Sequence, residues 1–277
     1  MSFDADGFVG ALPWTALAIF GVLVITYIGG RIAGRHSVVD VAWGLLFIAA
    51  ALTAYLLSAG SGDGLRRALL LGTVTIWGLR LAIHIGVRSR GKGEDPRYAA
   101  MLRDKGLLAT ILMVYGLQGL LAWVISMPVI VGMYAGGGWW PVVWLGVAIW
   151  AFGLAFEAIG DAQLERYKAN PERPRVLDTG LWRYTRHPNY FGDACVWVGI
   201  FLISASAWPG VLTVLSPAIM VYLLAFGSGK KVLERSMAKR PGYQDYMRRT
   251  SGFFPLPPSR RSSSTEAPSR WSSSEER

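Results

Sequence analysis

Residues 183–193 read RYTRHPNYFGD and lead without a break into the apolar run ACVWVGIFLISASA at 194–207. Guanidinium, carboxamide, phenol and carboxylate groups therefore lie directly against a segment that enters a membrane. Such groups are costly at a bilayer edge unless they bind something. The stretch predicts a membrane helix with a binding site at its polar end.

The rest of the chain is also strongly apolar. Of its 277 residues 52% are hydrophobic and only 17% are charged, and the mean hydropathy is +0.35. Soluble proteins carry about 25% charged residues, and here the apolar residues form long runs rather than alternating. We therefore expect an all-α polytopic membrane protein. The net charge of +10 does not indicate nucleic-acid binding, because the basic residues lie in short loops between apolar runs.

Seven runs approach the ~20 residues that a helix needs to cross the hydrocarbon core. They lie at 12–30, 38–59, 66–87, 107–133, 139–160, 193–207 and 210–228. The Ser-, Arg- and Glu-rich tail at 259–277 is predicted to be disordered. Residues 1–258 are then one seven-helix membrane domain.

Lys and Arg occupy alternate loops, a pattern that marks the cytoplasmic side. The loops at 60–65 and 134–138 carry neither residue, and Arg66 and Arg67 are the one departure. The pattern predicts that the N-terminus is outside, the C-terminus is cytoplasmic and every polar block faces the cytoplasm.

Metal and disulfide chemistry is disfavoured by the residue counts. Cys195 is the single cysteine, and the three histidines His36, His84 and His187 show no metal-ligand spacing. We expect no metal site.

Asp40 stands at the start of the second span. Because a helix N-terminus stabilises a carboxylate, one interpretation is a first-turn residue with a structural role. The other is a carboxyl group at the mouth of a membrane cavity, where desolvation favours its protonated, proton-donating form.

Trp77, Arg80 and His84 are spaced i, i+3 and i+7, which puts them on one face of the third span. An arginine in an apolar span needs an anion, although Arg80 is also close enough to the cytoplasmic end to snorkel.

Glu157, Asp161 and Lys168 follow a helical repeat at the end of the fifth span. They either pair with one another or bind ribose hydroxyls and a phosphate.

Pro188 disfavours helix at His187 and suits a first helical turn. Asn189 can donate and accept at once, as recognition of another amide requires, and Asp193 shares its helical face. A purely structural cap remains the alternative for 187–189.

No Gly-x-Gly-x-x-Gly follows a strand pattern and no Walker A sequence is present, so loops and helix ends would hold any nucleotide.

Together these residues resemble a known family. The blocks are SVVDVAWG at 37–44, WGLR at 77–80, RGKGEDPRY at 90–98, DTGLWRY at 178–184, RHPNYFG at 186–192 and RPGY at 240–243. The chain resembles the steroid 5α-reductase family, and more closely its uncharacterised bacterial branch, DUF1295.

The resemblance implies a seven-helix membrane reductase that uses NADPH to reduce the double bond of a 3-oxo-Δ4 steroid. The cofactor residues of the family correspond to Asp161, Lys168 and the stretch 189–193, while Glu157 stands where the animal reductases have Asn. Their substrate-polarising Glu and Tyr correspond by position to Asp40 and Trp77, which we take as the catalytic pair.

We further expect a set of cationic and aromatic residues to line the cofactor: Arg80, Lys92, Lys168, Arg175, Tyr184, Arg186, His187 and Tyr190. Basic residues favour NADPH over NADH. The apolar enone would enter from the membrane lipid into a site open to the cytoplasm, in a monomer of the bacterial inner membrane.

Two other functions compete. Membrane S-adenosylmethionine-dependent methyltransferases of the isoprenylcysteine and phospholipid type carry a similar Arg-His-Pro-x-Tyr block, but the blocks around Asp40 and Trp77 favour the reductase. A transporter or lipid-binding protein would need polar groups along a path through the bilayer, whereas here they cluster at one side.

Overall fold

The computed structural model describes residues 2–259, apart from the side chains of residues 228, 229, 231, 232 and 236. The predicted disordered tail, except for Ser259, lies outside the described residues.

Within this range the protein is helical and contains isolated bridges but no strand, which confirms the all-α prediction. In chain order the helices are α1 Ala5–Ala33, α2 Val38–Leu57, α3 Gly64–Ser89, α4 Pro96–Leu102, α5 Leu107–Tyr134, α6 Trp140–Ala169, α7 Pro188–Ala205, α8 Leu215–Ala225, α9 Ser228–Met237 and α10 Tyr243–Arg249. Helix α5 contains a π-helical stretch at Ile111–Gly116 and is interrupted at Ser126.

Five helices in the described part of the chain are long and apolar enough to cross a membrane: α1, α2, α3, α5 and α6. They cover the first five predicted spans. The sixth, at 193–207, falls in the 18-residue α7, whose first turns carry Asn189 and Asp193. The seventh, at 210–228, overlaps the shorter apolar helix Gly210–Ala225. The fold is thus that of a membrane protein, while seven spans and their orientation remain predictions.

Helices α6 and α7 pack unusually closely because glycines face one another along both. A Cβ on Gly153 would lie 2.5 Å from the carbonyl oxygen of Gly192, and one on Gly199 would lie 2.6 Å from that of Gly146. Small residues let helix backbones approach in this way in membranes. A Cβ on Gly192 would also lie 2.5 Å from the amide nitrogen of Glu157. The contact therefore brings the polar turns of the two helices together.

A second close approach joins α2 to α3. A Cβ on Gly44 would lie 2.3 Å from the carbonyl oxygen of Gly78. Asp40 precedes Gly44 by one turn and Arg80 follows Gly78, so both polar residues lie toward the same end of the helix pair.

Glu94 fixes the start of α2 at this polar end. Its carboxylate accepts the backbone N–H groups of His36 at 2.5 Å and Ser37 at 2.9 Å. Burial opposes ionisation, but these hydrogen bonds and that from the Asp95 N–H bring the pKa of Glu94 below its ordinary value.

Arg66 and Arg67, which departed from the charge pattern, have structural partners at the opposite end. Buried Arg66 donates to the carbonyl oxygens of Ala135, at 2.8 Å, and Gly137. Arg67 donates to the Ser58 hydroxyl at 2.9 Å and lies over the Tyr55 ring. These contacts hold the loops in place, and they explain why two arginines lie at this end of the bundle.

Candidate functional site

The centre of the polar end is an arginine held between two acids. Arg80 of α3 contacts Glu157 of α6 at 2.5 Å and also bonds to Asp161, one turn further along α6. The two carboxylate side chains are 4% and 7% exposed and that of Arg80 is 20% exposed. The arginine is therefore paired rather than snorkelling alone to the surface.

A third carboxylate joins them from α7. Asp193 is 9% exposed, and its neighbours are Trp77, Arg80, Glu157 and Asp161. Oxygen Oδ1 of Asp193 and Oε2 of Glu157 are buried and have no hydrogen-bond partner among the described residues. The carboxylate cluster, Glu157, Asp161 and Asp193, thus has spare acceptors.

His84 extends this cluster toward the exposed end of α6. Its Nε2 lies 3.6 Å from Asp161 and its Nδ1 lies 3.3 Å from Glu165, whose side chain is 54% exposed. The i, i+3, i+7 face predicted for α3 does bring Arg80 and His84 to one common acid, Asp161.

A group of cationic side chains lies one to two helical turns beyond the carboxylates. Lys168 of α6 lies near Arg88 of α3 and Lys92 of the following loop, as well as near Asp161 and Glu165. This cationic group, Arg88, Lys92 and Lys168, can bind an anion beside a group of hydrogen-bond acceptors.

Asp40 takes part in a separate polar chain. The Tyr98 hydroxyl donates to Asp40 at 2.6 Å and accepts from the Gln118 side chain at 3.1 Å. Arg97 approaches the other carboxylate oxygen at 3.3 Å. Burial and the adjacent Asp40 raise the pKa of the Tyr98 phenol well above its ordinary value, so it remains protonated at neutral pH.

This arrangement differs from the predicted Asp40–Trp77 pair. Trp77 is fully buried and packs against Phe47 and Trp197, with ring centroids 5.5 and 5.3 Å away. The hydrogen bonds of Asp40 run to Tyr98 and Arg97 instead. The donor in this couple is the tyrosine hydroxyl and the acceptor is Asp40.

Tyr190 lies between the two polar groups. Its phenol is close enough to both groups to feel the charges of Arg88, Arg97, Asp161 and Asp193. Its ring stacks on His187 at 5.2 Å with an interplanar angle of 8°. Asn189 next to it is half-buried, and its carboxamide forms no hydrogen bond to the part of the protein that the structure describes.

Three of the predicted cofactor residues lie elsewhere. Arg175 is exposed and Tyr184 is 43% exposed, and Arg186 is buried against the C-terminal segment. Arg186 bonds to Glu234 at 2.9 Å and to the carbonyl oxygens of Met247 and Thr250 at 3.0 and 2.5 Å. Its donors are therefore used in holding α9 and α10.

His187 shares that structural role. Its Nε2 lies 3.1 Å from Glu234, and burial lowers the pKa of the imidazole so that the neutral ring, with Nε2–H as donor, fits the contact. Despite its own burial, Glu234 has a lowered pKa because His187 and Arg186 hydrogen-bond to it. His187 reaches the site through its stacking on Tyr190.

Sequence reasoning did not single out Tyr98, Gln118, Arg88 or Glu234. Tyr98 ends the RGKGEDPRY block at 90–98, and the family resemblance implies no individual role for it. A polar residue in an apolar span is a signal that could have marked Gln118. Tyr98 and Glu234 could not be found in this way, because their partners are 58 and 47 residues away in the sequence.

The fold and the site define a helical membrane protein with a cluster of buried carboxylates at one end of its bundle. The family described as protein of unknown function DUF1295 matches residues 26–250, and the chain belongs to that family. An uncharacterized protein of Schizosaccharomyces pombe is 25% identical over 272 residues, which cover 84% of this chain and 78% of the relative. No solved structure matches the chain.

Proposed function

We propose that the protein is an NADPH-dependent membrane reductase of the C=C bond of an enone, with 3-oxo-Δ4 steroids as the substrate class. The proposal extends the resemblance of the sequence blocks to the steroid 5α-reductases. In it, the site opens to the cytoplasm of a bacterial cell and the apolar substrate enters from the lipid.

The residues at the polar end fit the sugar and amide parts of this cofactor. Ribose hydroxyls donate hydrogen bonds, and the unpartnered oxygens of Glu157 and Asp193 are buried acceptors. The Asn189 carboxamide, one turn before Asp193, can pair with a nicotinamide amide because each group donates and accepts.

The phosphates of the cofactor match the cationic group. Arg88, Lys92 and Lys168 come from two helices and a loop and lie beside Asp161. Acceptors next to cations are the complement of a nucleotide, whose hydroxyls and phosphates alternate along its length. Lys168 and Lys92 keep the role that the sequence predicted, and Arg88 joins them.

The observation that carries the proposal is the hydrogen-bonded couple of Tyr98 and Asp40. Enone reduction leaves negative charge on the substrate carbonyl oxygen, and a donor aimed at that oxygen stabilises it. The Tyr98 hydroxyl, oriented by Asp40 and Gln118, is such a donor. Methyl transfer from S-adenosylmethionine requires no hydrogen-bond donor of this kind.

In this mechanism NADPH, when bound, supplies the hydride for the β-carbon of the enone. Tyr98 turns its O–H from Asp40 to the carbonyl oxygen and donates a hydrogen bond to it as enolate charge develops. The proton that the α-carbon gains comes from water, so Tyr98 stays a neutral phenol beside Asp40. Asp40 keeps the hydroxyl in place, and its partly exposed carboxylate connects it to cytoplasmic water. Trp77 and its aromatic neighbours exclude water from the side of the site that faces the interior of the helix bundle.

The test uses the full-length protein in lipid nanodiscs with NADPH and a panel of 3-oxo-Δ4 steroids and simpler enones. Cofactor oxidation that depends on the enone, with a product two hydrogens heavier, is the expected result. Thermal stabilisation by S-adenosylmethionine but not by NADPH would overturn the proposal in favour of a methyltransferase.

An independent test of the cofactor contact is Asn189→Ala. We expect NADPH binding to weaken about tenfold, the effect of one lost polar pair of ~1.4 kcal/mol. Asn170→Ala, at the end of α6, is the matched control because the Asn170 side chain accepts only the Glu172 backbone N–H within the described residues.

A further inference from the structure

The carboxylate cluster has three acidic side chains and one arginine as its cationic partner. Glu157, Asp161 and Asp193 converge on a single arginine, Arg80, from α6 and α7. Fully ionised, these groups sum to two net negative charges at a depth where the two α6 acids are at most 7% exposed. Uncompensated charge of this size is unfavourable in a low-dielectric site.

The unpaired atoms show where compensation is missing. Arg80 bonds to one oxygen of Glu157 and one of Asp161, which leaves Glu157 Oε2 buried without a partner. Asp193 Oδ1 is likewise buried and forms no hydrogen bond of regular geometry among the described residues, although the unpaired Trp77 indole N–H lies beside Asp193. Two free carboxylate oxygens on facing turns of α6 and α7 form a receptor for a positively charged group.

We propose that this cluster makes the site bind the oxidised nicotinamide cofactor, whose ring is cationic, more tightly than the reduced cofactor, whose ring is neutral. The inference rests on the proposed function. The ribose hydroxyls contact these carboxylates equally in both forms, so the difference in affinity comes from the charge of the nicotinamide ring.

Glu157 is the residue that makes this property particular to the chain. In the resemblance to the animal reductases its position is taken by Asn, which is neutral. A carboxylate adds one full charge when ionised, and one of its oxygens has no hydrogen-bond partner among the described residues. Because the attraction between unit charges falls with the effective dielectric constant, a buried charge acts more strongly than one on the surface.

The experiment compares the dissociation constants of NADP⁺ and NADPH for the full-length protein in nanodiscs at fixed pH and salt. We expect wild-type protein to favour NADP⁺ by about tenfold or more. The isosteric Glu157→Gln variant is expected to lower this ratio about tenfold, because both forms lose the same ribose contact but only NADP⁺ also loses the attraction between the carboxylate and its ring.

Glu165→Gln is the matched control. It removes the same charge from the same helix, but Glu165 is 54% exposed and solvent screens it, so the ratio should change less than about twofold. Asp193→Asn provides a second route if Glu157→Gln folds poorly, since Asp193 has no arginine contact within bonding distance in the described protein. It should lower the ratio in the same direction.

Three outcomes are distinguishable. Failure of both nicotinamide forms to bind wild-type protein overturns the proposed function and the inference with it. Equal binding of both forms overturns the inference alone, because protons and not a ligand would then compensate the carboxylates. A ratio that stays unchanged in both Glu157→Gln and Asp193→Asn also overturns it.

Discussion

Tyr98 donates a 2.6 Å hydrogen bond to Asp40 across 58 residues of sequence. The loop that leads into α4, the helix of Tyr98, is itself fastened to the start of α2, because Glu94 accepts the backbone N–H groups of His36 and Ser37. The same short segment thus caps the helix and delivers a hydroxyl to its first turn.

Removal of this hydroxyl tests the assignment of the hydrogen-bond donor. Tyr98→Phe is expected to lower the rate of enone reduction about 100- to 1000-fold, the usual effect of losing one oxyanion donor. NADPH affinity should stay within about twofold, since the phenol lies outside the carboxylate cluster. Single-turnover kinetics and NADPH titration measure the two quantities separately.

Tyr222→Phe serves as the control for Tyr98→Phe, because Tyr222 is 62% exposed on α8. Asp40→Asn should slow turnover less than Tyr98→Phe, since an amide oxygen still accepts the phenol. Wild-type turnover in Tyr98→Phe would remove Tyr98 from the mechanism.

Much of the architecture follows from local sequence pattern. The first five apolar runs coincide with the five long helices, because a ~20-residue apolar run in lipid has no alternative to helix. The spacing of Arg80 and His84 likewise placed them on one face, and both reach Asp161.

Long-range pairing could not be predicted in the same way. The periodicity of α2 and α3 says nothing of which loop residue will meet Asp40, so position alone favoured Trp77 over Tyr98. Arg186 looked like a phosphate ligand because its sequence neighbours are polar. Its carbonyl partners Met247 and Thr250 lie more than 60 residues away.

The paired arginine should be essential for stability. Arg80→Met leaves Glu157 and Asp161 buried without their cation, and breaking a buried ion pair on one side typically costs about 3–5 kcal/mol. We expect a loss of that order in the free energy of unfolding, measured by reversible denaturation in mixed micelles.

Two further variants serve as comparisons for Arg80→Met. Arg88→Met removes an exposed arginine from the same helix and should change stability by less than about 0.5 kcal/mol. The double variant Arg80→Met with Glu157→Gln should recover part of the loss, because one uncompensated charge is gone. A single-variant cost below about 1 kcal/mol would contradict the buried pairing.

The α6–α7 contact predicts a steric effect at Gly192. A methyl group there would lie 2.5 Å from the Glu157 amide nitrogen, so the helices must separate. Gly192→Ala is expected to cost about 1–3 kcal/mol, the range for overpacking, and to weaken NADPH binding by moving Asp193.

Gly72→Ala in α3 is the matched control for Gly192→Ala, since nothing lies within 4 Å of that position. Its effect should be neutral or slightly stabilising, and equal effects of the two substitutions would refute the close approach.

The C-terminal segment should be held less tightly in acid. The pKa of Glu234 in the folded protein lies below its ordinary value of 4.5, so its stabilising effect is complete above that pH. It is lost as pH falls through the lower folded pKa. The pKa of His187 is lowered from 6.5, which adds a second loss as pH falls below 6.5.

Glu234→Gln isolates the first of these effects. The stability difference from wild type should be about 2 kcal/mol at pH 7, as for hydrogen bonds to a charged group, and should shrink below pH 4.5 as the wild-type carboxylate becomes protonated. Thermal unfolding of both proteins across pH 3.5–7.5 measures this difference. Asp245→Asn, whose side chain is 78% exposed in its pair with Arg248, should differ little from wild type at every pH. A difference for Glu234→Gln that is constant with pH would show that Glu234 acts through packing and not through its charge.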